Sequence, residues 1–459
     1  MARNDLIKMK LPNLLTIWKE DSLLRRVVKN SSYLFSSSTI GMGLAIVQSV
    51  LAARLLGVAA FGLLGMVMSF ATSINRLLSF RIGELVVKYG GEYLAQDRKD
   101  RAAATLKAAA LTEIGTSVSA YILLYIFAPL AAQYIIKDPA ATLFIRFYAL
   151  ALLSNFVTGT SAALLQLGDH FRSQAAIALT QNILTASLIT YAYFSDGDIW
   201  LILTAYLVGK VFFGFSLGFW GMRRAKELLG EGWMRSPFNL LPPKKEFWSF
   251  AFSSNFSGTV NLVTRDSEVL WLGFLLPGEV GKIAAGYYKT ALAIINLILM
   301  PINPFIATTF PEISRAVGEK AWEKLKTLLK RLTTISAAWT FSVSLFLLFF
   351  GEWLISLFYG AEYAPATPAA LILLIGFGTA NILYWNRPLL LSLGMPTYPL
   401  KVMAIVGAAK IGLSFLLVPR FGYIAQAALM SAYFVVSVGM IVWRGFTEIK
   451  FQVELGKSS

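Results

Sequence analysis

Arg-Arg-Ala-Lys-Glu-Leu-Leu-Gly-Glu-Gly-Trp-Met-Arg-Ser-Pro-Phe-Asn-Leu-Leu-Pro-Pro-Lys-Lys, residues 223–245, interrupts a chain that is otherwise a succession of apolar runs. Ser236-Pro237 and Pro242-Pro243 mark it as a turn-rich connection. Outward from it, the apolar runs fall six on each side. They lie near 33–53, 58–80, 104–127, 141–165, 174–194 and 199–221, then near 247–275, 279–307, 332–350, 365–386, 399–418 and 422–443. A hydrocarbon core about 30 Å thick takes about 20 helical residues to cross, so each run predicts one span. The expected architecture is an all-α membrane protein of about 12 transmembrane helices, in two six-helix lobes around a central cavity. A basic leader (1–32), an N-lobe (33–222), the linker (223–245), a C-lobe (246–444) and a tail (445–459) divide the chain. The first run follows the basic leader with no small-residue cleavage site, so it is expected to act as its own insertion signal.

Composition agrees. The 459 residues are 56% hydrophobic and 14% charged, with a mean hydropathy of +0.63. Soluble domains average roughly 45–50% apolar. The net charge of +16 does not call for nucleic acid, because roughly 32 of the 41 Lys and Arg fall on one set of alternating loops and termini. The heaviest clusters are Arg25, Arg26 and Lys29; Arg98, Lys99 and Arg101; Arg223, Arg224 and Lys226; and Lys324, Lys326, Lys330 and Arg331. This bias places both termini in the cytoplasm of a cell whose inner membrane holds the chain. Zero cysteines exclude disulfides and thiolate metal sites, and the single His170 cannot build a histidine zinc site. No phosphate-loop motif is present and no acid- or histidine-rich external loop occurs, so a transporter without a cofactor, driven by an ion gradient such as H+ or Na+ or by substrate supply, is expected rather than an enzyme.

Even-numbered halves share one orientation, so an internal repeat would be parallel. Ile74-Asn75 and Gly91-Glu92 recur as Ile302-Asn303 and Gly318-Glu319, and Leu165–Gly168 recurs as Leu391–Gly394, at offsets of about 226 to 228 residues.

Ionised side chains inside a bilayer are costly and mark pathways or pairs. In the seventh run Ser254, Ser257, Asn261, Arg265 and Glu268 recur every three or four residues, placing them on one helical face, with Asp266 about 100° round. That face reads either as a cavity lining or as an internal Arg265–Glu268 salt bridge. In the eighth run Lys289, Asn296 and Asn303 recur every seven residues, and Pro301 and Pro304 predict a kink. The second run offers Ser69, Ser73 and Arg76. In the first run Ser37, Gly41 and Gln48 form a small-residue face suited to helix packing. Lys210 and Lys410 lie mid-run; each either faces the cavity or neutralises a carboxylate such as Glu113, itself also readable as a proton carrier. His170 reads as a solvated loop residue.

Ala53-Arg54-Leu55-Leu56-Gly57-Val58-Ala59-Ala60-Phe61-Gly62 resembles the signature of the oligosaccharide-lipid flippases, the Wzx-type O-antigen and polysaccharide exporters. Leu272-Gly273-Phe274 through Val280-Gly281 to Gly286-Tyr287-Tyr288, and Phe358-Tyr359-Gly360-Ala361-Glu362-Tyr363 with Ala366, resemble two further family segments. The resemblance implies the superfamily shared with multidrug extruders and peptidoglycan-precursor flippases. It also implies alternating access and a cationic cavity facing a lipid pyrophosphate and its sugar. The expected substrate is an undecaprenyl-pyrophosphate-linked oligosaccharide. Membrane lipids, a polysaccharide polymerase and glycosyltransferases are the expected partners. By spacing, Arg265, Lys289, Asn261 and Asn296 are candidate substrate contacts, with Arg54 and Arg81 added as cations near helix ends; Asp266 and Glu268, with the mid-run carboxylate Glu113, are the candidates for ion coupling. A multidrug antiporter and a non-transporting component of envelope polysaccharide assembly are the competing readings.

Overall fold

The computed structural model describes residues 22–79, 82–241, 258–299 and 303–458. Its long helices are α1 (Ser22–Leu78), α2 (Lys99–Leu130), α3 (Ala141–Leu153), α4 (Thr158–Leu167), α5 (Phe171–Phe194) and α6 (Ile199–Leu229). After the linker come α7 (Glu268–Leu275), α8 (Gly278–Leu299), α9 (Asn303–Gly318), α10 (Trp322–Tyr359), α11 (Ala366–Ile382), α12 (Asn386–Ser392) and α13 (Thr397–Ser458). No strand occurs among the described residues. Eight helical segments there are long and apolar enough to cross a membrane. Two of them contain a break: α1 turns at Gly57 (φ 71°) and α13 at Gly422 (φ 61°), backbone conformations that only glycine adopts without strain.

Solvent-exposed apolar side chains show which surfaces meet lipid. Along α10, Ile335, Phe341, Leu348, Phe349 and Trp353 are all exposed, which is tolerable only in a hydrocarbon solvent. At 1.5 Å per residue, the 38 residues of α10 span about 57 Å. Its first turns, bearing Lys324, Lys326, Lys330 and Arg331, therefore extend past the hydrocarbon.

Two faces of the bundle can be told apart. The Gly57, Gly360 and Gly422 turns and the 137–140 and 276–278 loops gather at one end, the turn face. The linker and the loops at 96–98, 168–170, 319–321 and 394–396 lie at the other, the linker face. The two halves of the chain touch chiefly toward the turn face. There the second arm of α1 packs on α8 so closely that a Cβ on Gly62 would lie 1.9 Å from the Lys282 carbonyl oxygen. The Tyr363 hydroxyl donates to the Ala53 carbonyl at 2.9 Å, and Lys282 pairs with Asp138 at 2.6 Å. Lys137 donates to the Leu276 carbonyl at 2.6 Å. Toward the linker face the buried apolar clusters separate. Ile82, Leu106, Ala163 and Ala225 belong to one; Ile313, Leu325, Leu329, Trp385 and Ile449 to another. The halves thus diverge away from the turn face.

The repeat is visible in the backbone, in a register different from the sequence matches. Gly168 N, Asp169 N and His170 N close the end of α4 on Leu164 O, Gln166 O and Leu165 O. Leu393 N, Gly394 N and Met395 N close α12 on Leu389 O, Leu391 O and Leu390 O in the same pattern. Asp169 (φ 58°) therefore corresponds to Gly394 (φ 77°), 225 residues on, one residue out of step with the Leu165–Gly168 match. Likewise Asp97 (φ 55°) corresponds to Lys320 (φ 52°), so Gly91-Glu92 and Gly318-Glu319 are not equivalent. The preceding helix pairs, α3–α4 and α11–α12, are both interrupted by a turn, at 154–157 and 383–385.

The small-residue face of α1 packs on α5. The Ser37 hydroxyl donates to the Ala175 carbonyl at 2.8 Å and Gln48 Nε2 to the Asn182 carbonyl at 3.0 Å. In the eighth run α8 ends at Leu299 and α9 begins at Asn303; Pro301 lies outside the described residues. The chain beyond residue 445 continues α13, with Ile449 buried between α9 and α10.

Candidate functional site: a cleft between the halves

The site begins with a departure from α-helical geometry. Leu262–Asp266 form a π-helical turn that ends at Ser267, where the backbone leaves helical φ/ψ before α7 begins. A π turn inserts extra rotation and commonly marks functional positions. It breaks the face predicted for the seventh run: Arg265 and Glu268 no longer point the same way. The expected Arg265–Glu268 bridge is therefore absent. Arg265 Nε instead contacts Asp266 Oδ1 at 3.0 Å, and Glu268 turns into the core. Asn261 immediately precedes the turn, and Ser254 and Ser257 lie outside the described residues.

Asp266 faces the other half. Arg76 Nη1, near the end of α1, donates to Asp266 Oδ2 at 2.5 Å. Around this bridge a recess of about 160 Å³ is lined by Met68, Ser69, Thr72, Ser73 and Arg76 from one half and Leu262 and Asp266 from the other. The polar stripe read in the second run thus lines the cleft. On its far side Asp266 also borders a cavity of about 510 Å³ within the C-terminal half, where Arg265, Asn296, Asn381 and Tyr384 supply polar groups and Phe377 and Phe434 an aromatic pair 4.7 Å apart. One carboxylate therefore belongs to both spaces.

Lys289 projects from α8 toward α1. Its Nζ lies 4.0 Å from the centroid of Phe61, and its stem lies against Gly65, where a Cβ would come within 2.9 Å of its Cδ. No carboxylate pairs with it among the described residues. An aromatic face contributes roughly 0.5–2 kcal/mol to holding an ammonium.

Three candidates are placed elsewhere. Arg54 is not in the cleft: its Nε donates to the Phe358 carbonyl at 2.7 Å and its Nη2 to that of Leu357, which makes it a clamp on the free carbonyls ending α10. Glu113 is not a cavity acid. Its Oε1 accepts from Gly159 N at 2.6 Å and Thr158 Oγ1 at 3.3 Å, and its Oε2 accepts from Thr160 N at 2.9 Å, so it caps the positive end of α4. Glu268 is held by the ammonium of Lys410 and by Gln426 Nε2, which donates to its Oε2 at 2.5 Å. Arg81 lies outside the described residues, and the side chain of Asn303 is likewise not described. Lys210 is exposed on α6. The residues missed in sequence are Phe377, Asn381, Tyr384, Gln426 and Phe434. Asn381 and Tyr384, spaced three apart in the tenth run, carried a readable signal; the two phenylalanines carried none among so many apolar neighbours.

A helical bundle whose halves meet at one face and part toward the other, around a cleft with charges from both, has the fold of solved multidrug and lipid-flippase transporters. The structure of the lipid II flippase MurJ in an inward closed conformation superposes with a TM-score of 0.69 at 13% identity, covering 91% of this chain and 89% of that one. An inward-facing multidrug resistance MATE family transporter gives 0.68 at 14% identity, covering 90% and 95%. The chain belongs to the polysaccharide biosynthesis protein family, whose model matches residues 27–317. The inner membrane protein YghQ of Escherichia coli (strain K12) is similar at 22% identity over 350 residues, 76% of this chain and 97% of that protein.

Proposed function

We propose that this chain moves an undecaprenyl-pyrophosphate-linked oligosaccharide from the cytoplasmic to the outer leaflet of a bacterial inner membrane by alternating access. The observation that carries the reading is the sharing of Asp266 between the cleft and the C-half cavity, with Arg76 held against it from the other half. In this scheme the turn face is extracytoplasmic, both termini are cytoplasmic, and 33–222 and 246–444 rock as lobes joined by 223–245. The pyrophosphate enters from the linker face and competes with Asp266 for Arg76. Lys289, held against Phe61 between α8 and α1, supplies a second cation once the halves part, and partial dehydration there strengthens the attraction. Asn296, Asn381 and Tyr384 hydrogen-bond the sugar, Phe377 and Phe434 cover its apolar face, and Arg265 adds charge at the rim. A proton on Asp266 releases Arg76, uncoupling the halves at the one ion pair between them that lies away from the turn face among the described residues. Glycosyltransferases supply the substrate, and a polymerase consumes the product.

Binding to purified protein in detergent tests this reading. Undecaprenyl-pyrophosphate-linked sugars should bind more tightly than the same sugar without the pyrophosphate, and Lys289→Ala should abolish the difference. Preferential binding of cationic dyes would favour a multidrug antiporter, for which the Phe377–Phe434 pair beside Asp266 would serve as the cation-binding wall.

A further inference from the structure

The core of the C-terminal half holds a fully formed charge pair, whose carboxylate residue Glu268 also reaches the wall of the 510 Å³ cavity. Glu268 and Lys410 are 2% and 3% exposed. Two charges buried this deeply persist only if each is paired and hydrogen-bonded. The lysine Nζ contacts Glu268 Oε1, donates to the Thr264 carbonyl at 2.6 Å, and lies 4.0 Å from Met430 Sδ and 5.9 Å from the centroid of Tyr433. The π turn is what aims the Thr264 carbonyl here, since Thr264 sits in its middle. Beside the pair, Gln426 Oε1 is buried without a hydrogen-bond partner, and the Tyr288 hydroxyl lies against the Glu268 carboxylate.

A carboxylate oxygen and a main-chain carbonyl meet on one positive charge, with Gln426 holding the other carboxylate oxygen, and oxygen donors of this kind suit a hard cation. The positive charge here is covalently attached. We propose that the ammonium of Lys410 is a tethered resident cation, filling around Glu268 the place of a free monovalent metal ion, so that this chain is built and works without bound sodium or potassium. The proposal rests on the transport reading only for its consequence: the driving ion acts at Asp266, and Glu268 is not its carrier. Lys410 is then a positioning residue. By fixing Thr264 and Glu268 on either side of Asp266, it sets the angle at which Asp266 meets Arg76.

The test is thermal unfolding of the full-length purified protein in NaCl, KCl, methylammonium chloride and choline chloride at one ionic strength, which needs no knowledge of the substrate. Wild type should unfold at the same temperature in all four. Lys410→Ala should unfold at least about 3 °C lower in choline and recover most of that loss in Na+, K+ or methylammonium, a rescue that a merely structural lysine would not give. A wild type stabilised by Na+ over choline would overturn the proposal, and so would Lys410→Ala unresponsive to every small cation. If Lys410→Ala does not fold, the double variant Glu268→Gln/Lys410→Met, which removes both charges together, decides. It should fold and be indifferent to all four salts, whereas a sodium response in it would count against the proposal. Absence of glycan-lipid translocation with this cation indifference intact would sink the functional reading alone.

Discussion

Arg76 and Asp266 stand 190 positions apart in the chain and 2.5 Å apart in space, joining the end of α1 to the π turn before α7. Their side chains are 51% and 26% exposed, so the bridge contributes little to folding, about 0–1 kcal/mol. In the proposed scheme its role is in coupling the halves. Arg76→Asp and Asp266→Arg should each lower translocation at least about tenfold, a loss of roughly 1.4 kcal/mol in the transport barrier. The double reversal should recover part of it, and melting temperatures should move by less than about 2 °C. Equal losses in the singles and the double would separate the two residues functionally.

Lys289 and Phe61 form a cation held by a ring. Lys289→Met should weaken binding of a pyrophosphate lipid at least about tenfold, the scale of one charge-assisted contact. Phe61→Leu should weaken it only a few-fold, since a cation–π contact is worth about 0.5–2 kcal/mol. Titration of both variants with the same lipid checks the ranking.

Gly62 leaves no room for a side chain beside the Lys282 carbonyl. Gly62→Leu should keep the turn face from closing. Because the natural chain has no cysteine, single cysteines can report this without background. Ser49→Cys, whose hydroxyl contacts Tyr359 Oη at 3.2 Å in the closed arrangement, should react with an external thiol reagent several-fold faster in the Gly62→Leu protein.

Asp138 gives the closure a pH limit. The Lys282 ammonium hydrogen-bonded to it holds its carboxyl below the usual aspartate range, outweighing partial burial. A carboxylate with a depressed folded value contributes stability above its unfolded value and loses it as pH falls through the folded one. The closed turn face should therefore be insensitive to pH from neutrality down to about 4 and loosen below it, and Asp138→Asn should loosen it at every pH. Labelling of Ser49→Cys across that range measures both.

Glu113, as a cap of α4, should behave as a stability residue. Glu113→Ala leaves two main-chain donors without acceptors and should cost about 1–3 kcal/mol, with Glu113→Gln recovering part. Neither should change the ion dependence of transport; a changed dependence would restore Glu113 as a proton carrier.

Which parts were legible in the sequence follows from the physics of each signal. Apolar runs and the break at 223–245 were readable because hydrocarbon imposes length and composition directly. The stripe Ser69, Ser73, Arg76 was read correctly because that arm of α1 is regular. The stripe Asn261, Arg265, Glu268 was misread because spacing arguments assume 3.6 residues per turn, and the π turn at Leu262–Asp266 breaks that assumption. Arg54 and Glu113 were assigned to the cavity because charge in an apolar run does not distinguish a ligand from a helix cap. Lys410 was singled out without its partner, since Glu268 lies 142 positions away. The three segments resembling the flippase signature meet at the turn face, where Ala53, Phe61, Lys282, Gly286, Tyr359 and Tyr363 pack together. They mark the place where the two halves pack together.

The central claim is that charges contributed by both halves carry a lipid pyrophosphate through this cleft. The most direct measurement is translocation of a labelled undecaprenyl-pyrophosphate-linked oligosaccharide in liposomes containing wild type, Arg76→Ala, Lys289→Ala or the distant Lys326→Ala, at equal insertion. Translocation by wild type and Lys326→Ala, with at least about tenfold loss in the other two, is the predicted result. Wild-type translocation that survives both Arg76→Ala and Lys289→Ala would contradict the claim.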